Sequence, residues 1–299
     1  MADTSGMADL RGINVDKLAK GFADEQNMFK KFCTVTTTSA REIRWFQKTA
    51  GFLDSTDSTG MTASLVANTA ERALPVVVEQ SWTRNTSYVR KYFVESPLIS
   101  QEDINDTDVD ILATNVRDLV RAVERQVDQR IYNVISDTVT AVPGDGGNVQ
   151  TVAATADGWD DAATGDPIAD LLNAKQLLRS YSYDPEGAIL AINSIEHRNL
   201  LKYLISVKGS SIPSFAAQKV ESGVVMEILG LRVVVSQNAT TDYAVVFVPQ
   251  RACTWKSFVP ITSVVIDDPG IGKKIRVWEE GEALLTDPKA VCVITDTVV

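Results

Sequence analysis

Apolar residues at Val109, Leu112, Val116, Leu119, Val123, Val127, Ile131 and Ile135 recur at steps of three and four, which marks one face of a helix. The stripe predicts a helix over 107–136, roughly 44 Å long at about 1.5 Å per residue. Thr107 with Asp110 resembles a capping box, and Glu102, Asp103, Asp106 and Asp108 lie where the positive end of the helix favours carboxylates. Elsewhere the period changes to two. Ile43 and Trp45 alternate with Arg44 over 42–46, and a second extended run over 74–96 is rich in Val, Thr, Tyr and Phe. In that run Trp82, Arg84, Thr86, Tyr88, Arg90 and Tyr92 fall on one face, and Ser81, Thr83, Asn85, Ser87, Val89 and Lys91 on the other. Neither reads as a core face. A two-stranded ribbon with no buried side is marginal in water, so its packing is expected from another molecule. The alternative is an edge hairpin folded back over its own domain.

The rest of the chain divides around these elements. Residues 3–40 carry one short amphipathic stretch, with Val15, Leu18, Phe22, Met28, Phe29 and Phe32, and read as an arm with little core of its own. Residues 50–73 are rich in Ser, Thr, Gly and Asp and have turn character. A long Gly/Asp/Ala/Thr loop with at most a short hairpin is expected over 141–167. A helix over 167–182, a buried strand over 188–192 and a helix over 195–207 follow, the last capped by Asn193 with Glu196 three residues on. Strands are expected at 224–228, 231–236, 243–248, 253–259, 263–266, 274–279 and 290–295, with Gly230, Pro249, Pro260, Pro269 and Gly270 as punctuation. The order is α+β, without βαβ alternation.

Charge and composition narrow the function. The chain has 299 residues, and 29 Lys and Arg against 39 Asp and Glu leave a net charge of −10, which argues against a chain that lives by gripping phosphate backbones. With 44% hydrophobic and 23% charged residues it reads as an ordinary folded protein. No run approaches the roughly 18 apolar residues of a membrane span, and neither signal peptide nor anchor is read. Cys33, Cys253 and Cys292 are far apart, so neither a disulfide framework nor a CxxC clip can be drawn, and a reducing compartment is expected. With one histidine, His197, no metal and no cofactor is expected. Met-Ala-Asp occurs at 1–3 and again at 7–9, which leaves Met1 and Met7 as alternative starts.

Catalytic patterns find little footing. His197 sits beside Leu200, Leu201 and Leu204 without a GxSxG elbow, so a structural histidine is favoured over a hydrolase base. Residues 269–274 (PGIGKK) lack the spacing and the Ser/Thr of a phosphate loop. Asp106, Asp108 and Asp110 imitate a calcium loop, but Ile111 and Arg117 stand where Gly and Glu are needed. Asp157, Asp160 and Asp161 read as a solvated acidic loop. Arg84, Arg90 and Lys91 among Trp82, Tyr88 and Tyr92 would suit a stacking platform for single strands. The acidic total favours a protein contact, for which Trp, Tyr and Arg are the usual anchors.

The order of parts then carries a resemblance: an arm, a long hairpin, a long helix introduced by SPLISQEDINDTDVD, a Gly-rich connector, a helix, AILAINSIEHRNLLKYL, and EILGLRVVVS at 227–236. This order resembles the major capsid proteins of tailed phages, the Hong Kong 97-type fold, over essentially the whole chain. The resemblance implies an amino-terminal arm (1–41), an extended loop (42–94), a peripheral domain (95–166 and 249–299) with a spine helix (107–136), and an axial domain (167–248). It implies a non-enzymatic shell subunit that forms pentamers and hexamers of itself around double-stranded DNA, which it would contact non-specifically, in a virion assembled in the host cytoplasm. A separate scaffolding protein, a portal and a decoration protein are the implied partners, with no membrane. Ser194 departs from the proline many relatives place after Asn193. Lys48 lies where some relatives crosslink, but no Asn and catalytic Glu are identified, so that chemistry is not carried over. The intersubunit contact candidates are Phe22, Phe29, Trp45, Phe46, Trp82, Arg84, Tyr88, Arg90 and Tyr92. An encapsulin-like cellular compartment is the nearest alternative, and a hydrolase using His197 a distant one.

Overall fold

The computed structural model describes residues 29–50, 70–74, 81–106, 111–136, 149–155, 158–161, 164–206 and 227–298. In chain order the elements are α1 (Phe29–Phe32), β1 (Thr34–Thr37), β2 (Glu42–Ala50), β3 (Ser81–Tyr88), β4 (Arg90–Glu95), β5 (Ile99–Ser100), α2 (Gln101–Asp106), α3 (Ile111–Ser136), β6 (Gln150–Ala153), α4 (Pro167–Ser180), β7 (Ile189–Ile192), α5 (Ser194–Ser206), β8 (Glu227–Ile228), β9 (Leu231–Val235), β10 (Tyr243–Phe247), β11 (Cys253–Asp268), β12 (Gly272–Leu285) and β13 (Val291–Thr295). The expected cap at Thr107 and Asp110, the PGDGG turn, Phe22 and most of 50–73 lie outside the described residues.

Six strands form one sheet in the order β6-β13-β10-β7-β9-β8. Its central strands are buried on both faces, and alternation sorts their side chains into two cores. Leu190, Ile192, Ala244, Val246, Cys292 and Ile294 meet Leu171 and Leu178 of α4 and Leu200 and Leu204 of α5. Ile189, Ala191, Val245, Phe247, Val291 and Val293 meet Val127, Ile131, Tyr132 and Ile135 of α3, together with Phe29 and Trp255. The helix–strand–helix unit therefore folds as its periodicity predicts. Asp166 caps α4, accepting from the Ile168 and Ala169 N–H groups at 3.2 Å each. Asn193 accepts weakly from the Ile195 N–H at 3.4 Å, but Glu196 does not close a capping box. Its buried carboxylate instead accepts from the Asp242 N–H at 2.8 Å, tying α5 to the start of β10.

A second sheet runs β1-β11-β12-β4, with β5 paired to the far end of β12. Its backbone is one long antiparallel hairpin, β11–β12, and the amino-terminal half of α3 lies on it through Val123, Leu112, Val116 and Leu119 against Ile275 and Val277. Strands expected separately at 253–259 and 263–266 are continuous here. Pro260, read as a turn, is absorbed where the register shifts between Val259 and Thr262, a place that tolerates a residue without an N–H.

Residues 150–153 and 291–295 pair in parallel with each other inside the six-stranded sheet. Two expectations change in other ways. Among the described residues of 141–167, the strand β6 pairs with β13 and not within a hairpin, and Trp159 is 2% exposed. Its indole donates to Asp170 of α4 at 2.8 Å. In the described part of the run 74–96 there are two strands: the chain breaks at Val89, whose N–H donates to the Arg41 carbonyl, and β4 then joins the second sheet.

Candidate assembly interface

Among the described residues, strands β2 and β3 pair only with each other, as an antiparallel ribbon outside both sheets. The register puts Phe46 opposite Arg84, Lys48 opposite Trp82 and Glu42 opposite Tyr88. Alternation places these six side chains on one face. Phe46, Trp82 and Tyr88 are 61%, 55% and 66% exposed there, and Arg84 is exposed with them. The opposite face is not open. Ile43, Gln47 and Ser87 are buried, and Gln47 and Trp45 both donate to the Leu285 carbonyl, at 2.6 and 3.2 Å. The expectation that neither face is covered is thus corrected: one face of the ribbon's base is seated on the end of β12.

The nine contact candidates separate on this geometry. Phe46, Trp82, Arg84 and Tyr88 form the open face. Phe29 is fully buried against Tyr132, ring centres 5.2 Å apart, and is core of its own subunit. Tyr92 is half-buried beside Trp255, Arg90 is ion-paired to Glu282 at 3.0 Å, and Trp45 is half-buried on Leu285. Those four hold the chain's own fold together. Phe22 lies outside the described residues.

Beside α1 and the base of the ribbon, β12 supplies three buried glutamates. Glu279 pairs with Lys30 of α1, Glu280 with Arg41 at 3.4 Å and Lys91 at 3.7 Å, and Glu282 with Arg130 at 2.6 Å and with Arg90. Five cations from α1, the turn before β2, β4 and α3 thus converge on one strand. Burial pushes the Glu282 carboxyl above its ordinary range, against the pull of Arg130 and Arg90. Asp128 of α3, 1% exposed, accepts from the Phe29 and Lys30 N–H groups at 2.7 and 3.2 Å and so caps α1. Sequence reasoning missed all four carboxylates, because in a linear pattern each reads as solvated polar surface. The only available signal was their apolar setting, with Trp278 before and Ala283 after on β12 and Val127 beside Asp128 on α3.

A cleft of about 660 Å³ separates the ribbon's base from the body and is lined by Phe46, Lys48, Trp82, Tyr183, Arg251 and Asp287 among others. Tyr183 donates to Asp287 at 2.8 Å, Arg251 pairs with the same carboxylate at 2.9 Å and stacks over the Tyr183 ring at 4.6 Å. Burial and Asp287 raise the Tyr183 hydroxyl above the ordinary phenol range, so it remains a donor. A second cleft, about 620 Å³, runs between β4 and α3. His197 lines neither cleft. It is half-buried on α5, where burial lowers its pKa. The cleft with the ribbon as one wall holds an aromatic and cationic lining of the kind that protein interfaces use.

Residues 98–294 match the family described as phage capsid protein. No curated protein sequence matches the chain. Among solved structures, a capsid chain of cyanophage P-SCSP1u aligns with TM-score 0.63 at 16% identity over 97% of this chain and 96% of that one. A chain from Mycobacterium phage Che8 aligns with TM-score 0.61 at 17% identity, over 92% and 93%. A virus-like particle from Pyrococcus furiosus aligns with TM-score 0.55 at 14% identity, over 89% and 90%. At these identities the likeness shows a shared fold, the α+β capsid fold of the Hong Kong 97 type. The chain belongs to the phage capsid protein family. It is a major capsid protein, a structural shell subunit, and the encapsulin-like alternative is not favoured.

Proposed function

We propose that the open face of the ribbon, Phe46, Trp82, Arg84 and Tyr88, is the surface by which one subunit grips the next in the shell. The observation that carries this reading is the asymmetry of the ribbon. One face is seated on β12, and the other presents three large aromatic rings and a guanidinium to solvent. Exposed apolar patches of that kind mark contact surfaces, and aromatic residues with Arg are the usual anchors of interfaces. Many copies repeat the contact around closed rings, so individually weak interactions sum to a stable shell.

The five-stranded sheet with α3 would be the peripheral unit and the six-stranded sheet with α4 and α5 the axial one. Pentamers and hexamers of this chain would enclose DNA, held without sequence preference inside an acidic container. A separate scaffolding protein, a portal and a decoration protein would complete the particle, assembled in the host cytoplasm, and the subunit itself would carry no catalysis.

The test is the double variant Phe46→Ser/Trp82→Ser. It removes exposed rings and no core, so thermal unfolding should match the wild type within a few degrees, while particles seen by negative-stain microscopy should disappear. Normal particles from this variant would overturn the assignment of the face.

A further inference from the structure

The parallel pairing of β1 with β11 begins at Thr34 and Thr254. The preceding residues, Cys33 and Cys253, therefore meet one position ahead of the ladder. Both are buried, at 5% and 2% exposure, in the same core cluster, so both side chains leave the sheet on the same side. Cys253 is near enough to raise the pKa of the Cys33 thiol. Neighbouring strands lie about 4.8 Å apart, which falls inside the roughly 4.4–6.8 Å between Cα atoms that a disulfide spans. Cys292 belongs to the other core, across the six-stranded sheet. The sequence hid this pairing because the two residues lie at opposite ends of the chain.

We propose that Cys33 and Cys253 form an oxidation site, at which an intrachain disulfide fastens the arm to the body of the subunit. The oxidant is a low-molecular-weight disulfide such as oxidised glutathione. One cysteine thiolate attacks it, breaking its S–S bond and releasing one small thiol. The second cysteine thiolate then displaces the other. Two protein S–H bonds are lost and one protein S–S bond forms; the small disulfide is reduced to two thiols, which take up the two protons.

The structure also sets the pace of this step. The neighbouring Cys253 and burial hold Cys33 far above the ordinary thiol range, so the closed subunit offers little thiolate. Exchange must pass through an opening of β1. That strand has four residues and forms the edge of its sheet, the kind of element that opens at low cost. In the reduced chain it is stitched down by the Gln250 N–H donating to the Phe32 carbonyl at 2.6 Å, the Thr34 hydroxyl to the Gln250 carbonyl at 2.6 Å, and the Thr38 N–H to the Ser257 carbonyl at 2.9 Å. Once β1 closes again, the bond is buried and reductants reach it as slowly as the oxidant did.

The experiment incubates the purified full chain with oxidised glutathione at mildly alkaline pH, then denatures it, titrates free thiols and maps peptides without reduction. The titratable thiols should fall from the three in the sequence to one, Cys292. The Cys33 and Cys253 peptides should be linked within a chain that still migrates as a monomer. Cys292→Ala should leave the link intact, and Cys33→Ser should abolish it. Three thiols still titratable, a link through Cys292 or between chains, or glutathione adducts without a Cys33–Cys253 link would each overturn the proposal. The wild-type result decides the matter even where a variant fails to fold.

Discussion

Glu282 is fully buried on β12 with Arg130, itself 7% exposed, against one oxygen. Burial raises its carboxyl, so the folded chain holds that proton at a higher pH than the unfolded chain does. Its contribution to stability is therefore complete below the ordinary carboxylate pKa of 4.5 and is lost as pH rises through the raised value. Replacing Arg130 with Met removes the closest cation and pushes the carboxyl higher still. We expect a loss on the order of 3 kcal/mol at neutral pH, the scale for breaking a buried pair, which shrinks as the pH approaches 4.5. Urea unfolding of both proteins across that range measures it, and a deficit that is small or independent of pH would contradict this account of the pair. Beyond the apolar neighbours Trp278 and Ala283, the local sequence does not distinguish Glu279, Glu280 and Glu282 from exposed strand charges. Their burial follows from cations that arrive from α1, β4 and α3, far away in the chain.

At the scale of elements, Gly281 lets β11 and β12 close at the point where the register changes. A Cβ there would stand 2.4 Å from the Trp255 ring and 2.8 Å from the Lys256 carbonyl oxygen. Trp255 is fully buried and has no room to withdraw. Gly281→Ala should cost about 1–3 kcal/mol, the range for overpacking a core, read as a lower midpoint in chemical denaturation; an unchanged midpoint would show that the strands part freely. The two-residue turn between β8 and β9 is the opposite case, legible from sequence. Gly230 has φ +76°, as the EILGLRVVVS pattern implies, and Leu229 before it sits at φ +52°, its carbonyl held by Lys175 at 2.5 Å. Helices were legible because α3, α4 and α5 bury continuous apolar stripes. Strand limits were less so: Pro260 looks like a stop but lies in a bulge, and the break at Val89 falls on a good strand former with no turn residue to mark it.

For the whole molecule, the order of ribbon, long helix and mixed core was legible, and it pointed to the capsid fold that the comparisons bear out. Which strands share a sheet was not. β13 joins the six-stranded sheet on β10, and β6 joins it only by pairing with β13, whose residues lie far along the chain; neither alternation nor composition reports on pairings of that range. The ribbon was legible as an incomplete element, although its base proved to be seated on Leu285 rather than free on both sides. The central claim is that its remaining face is closed by a neighbour. Hydroxyl-radical oxidation of Trp82, compared between dissociated subunits and assembled particles, tests this most directly. Strong protection of Trp82 on assembly is the predicted result, and an equal oxidation rate in both states would contradict the account.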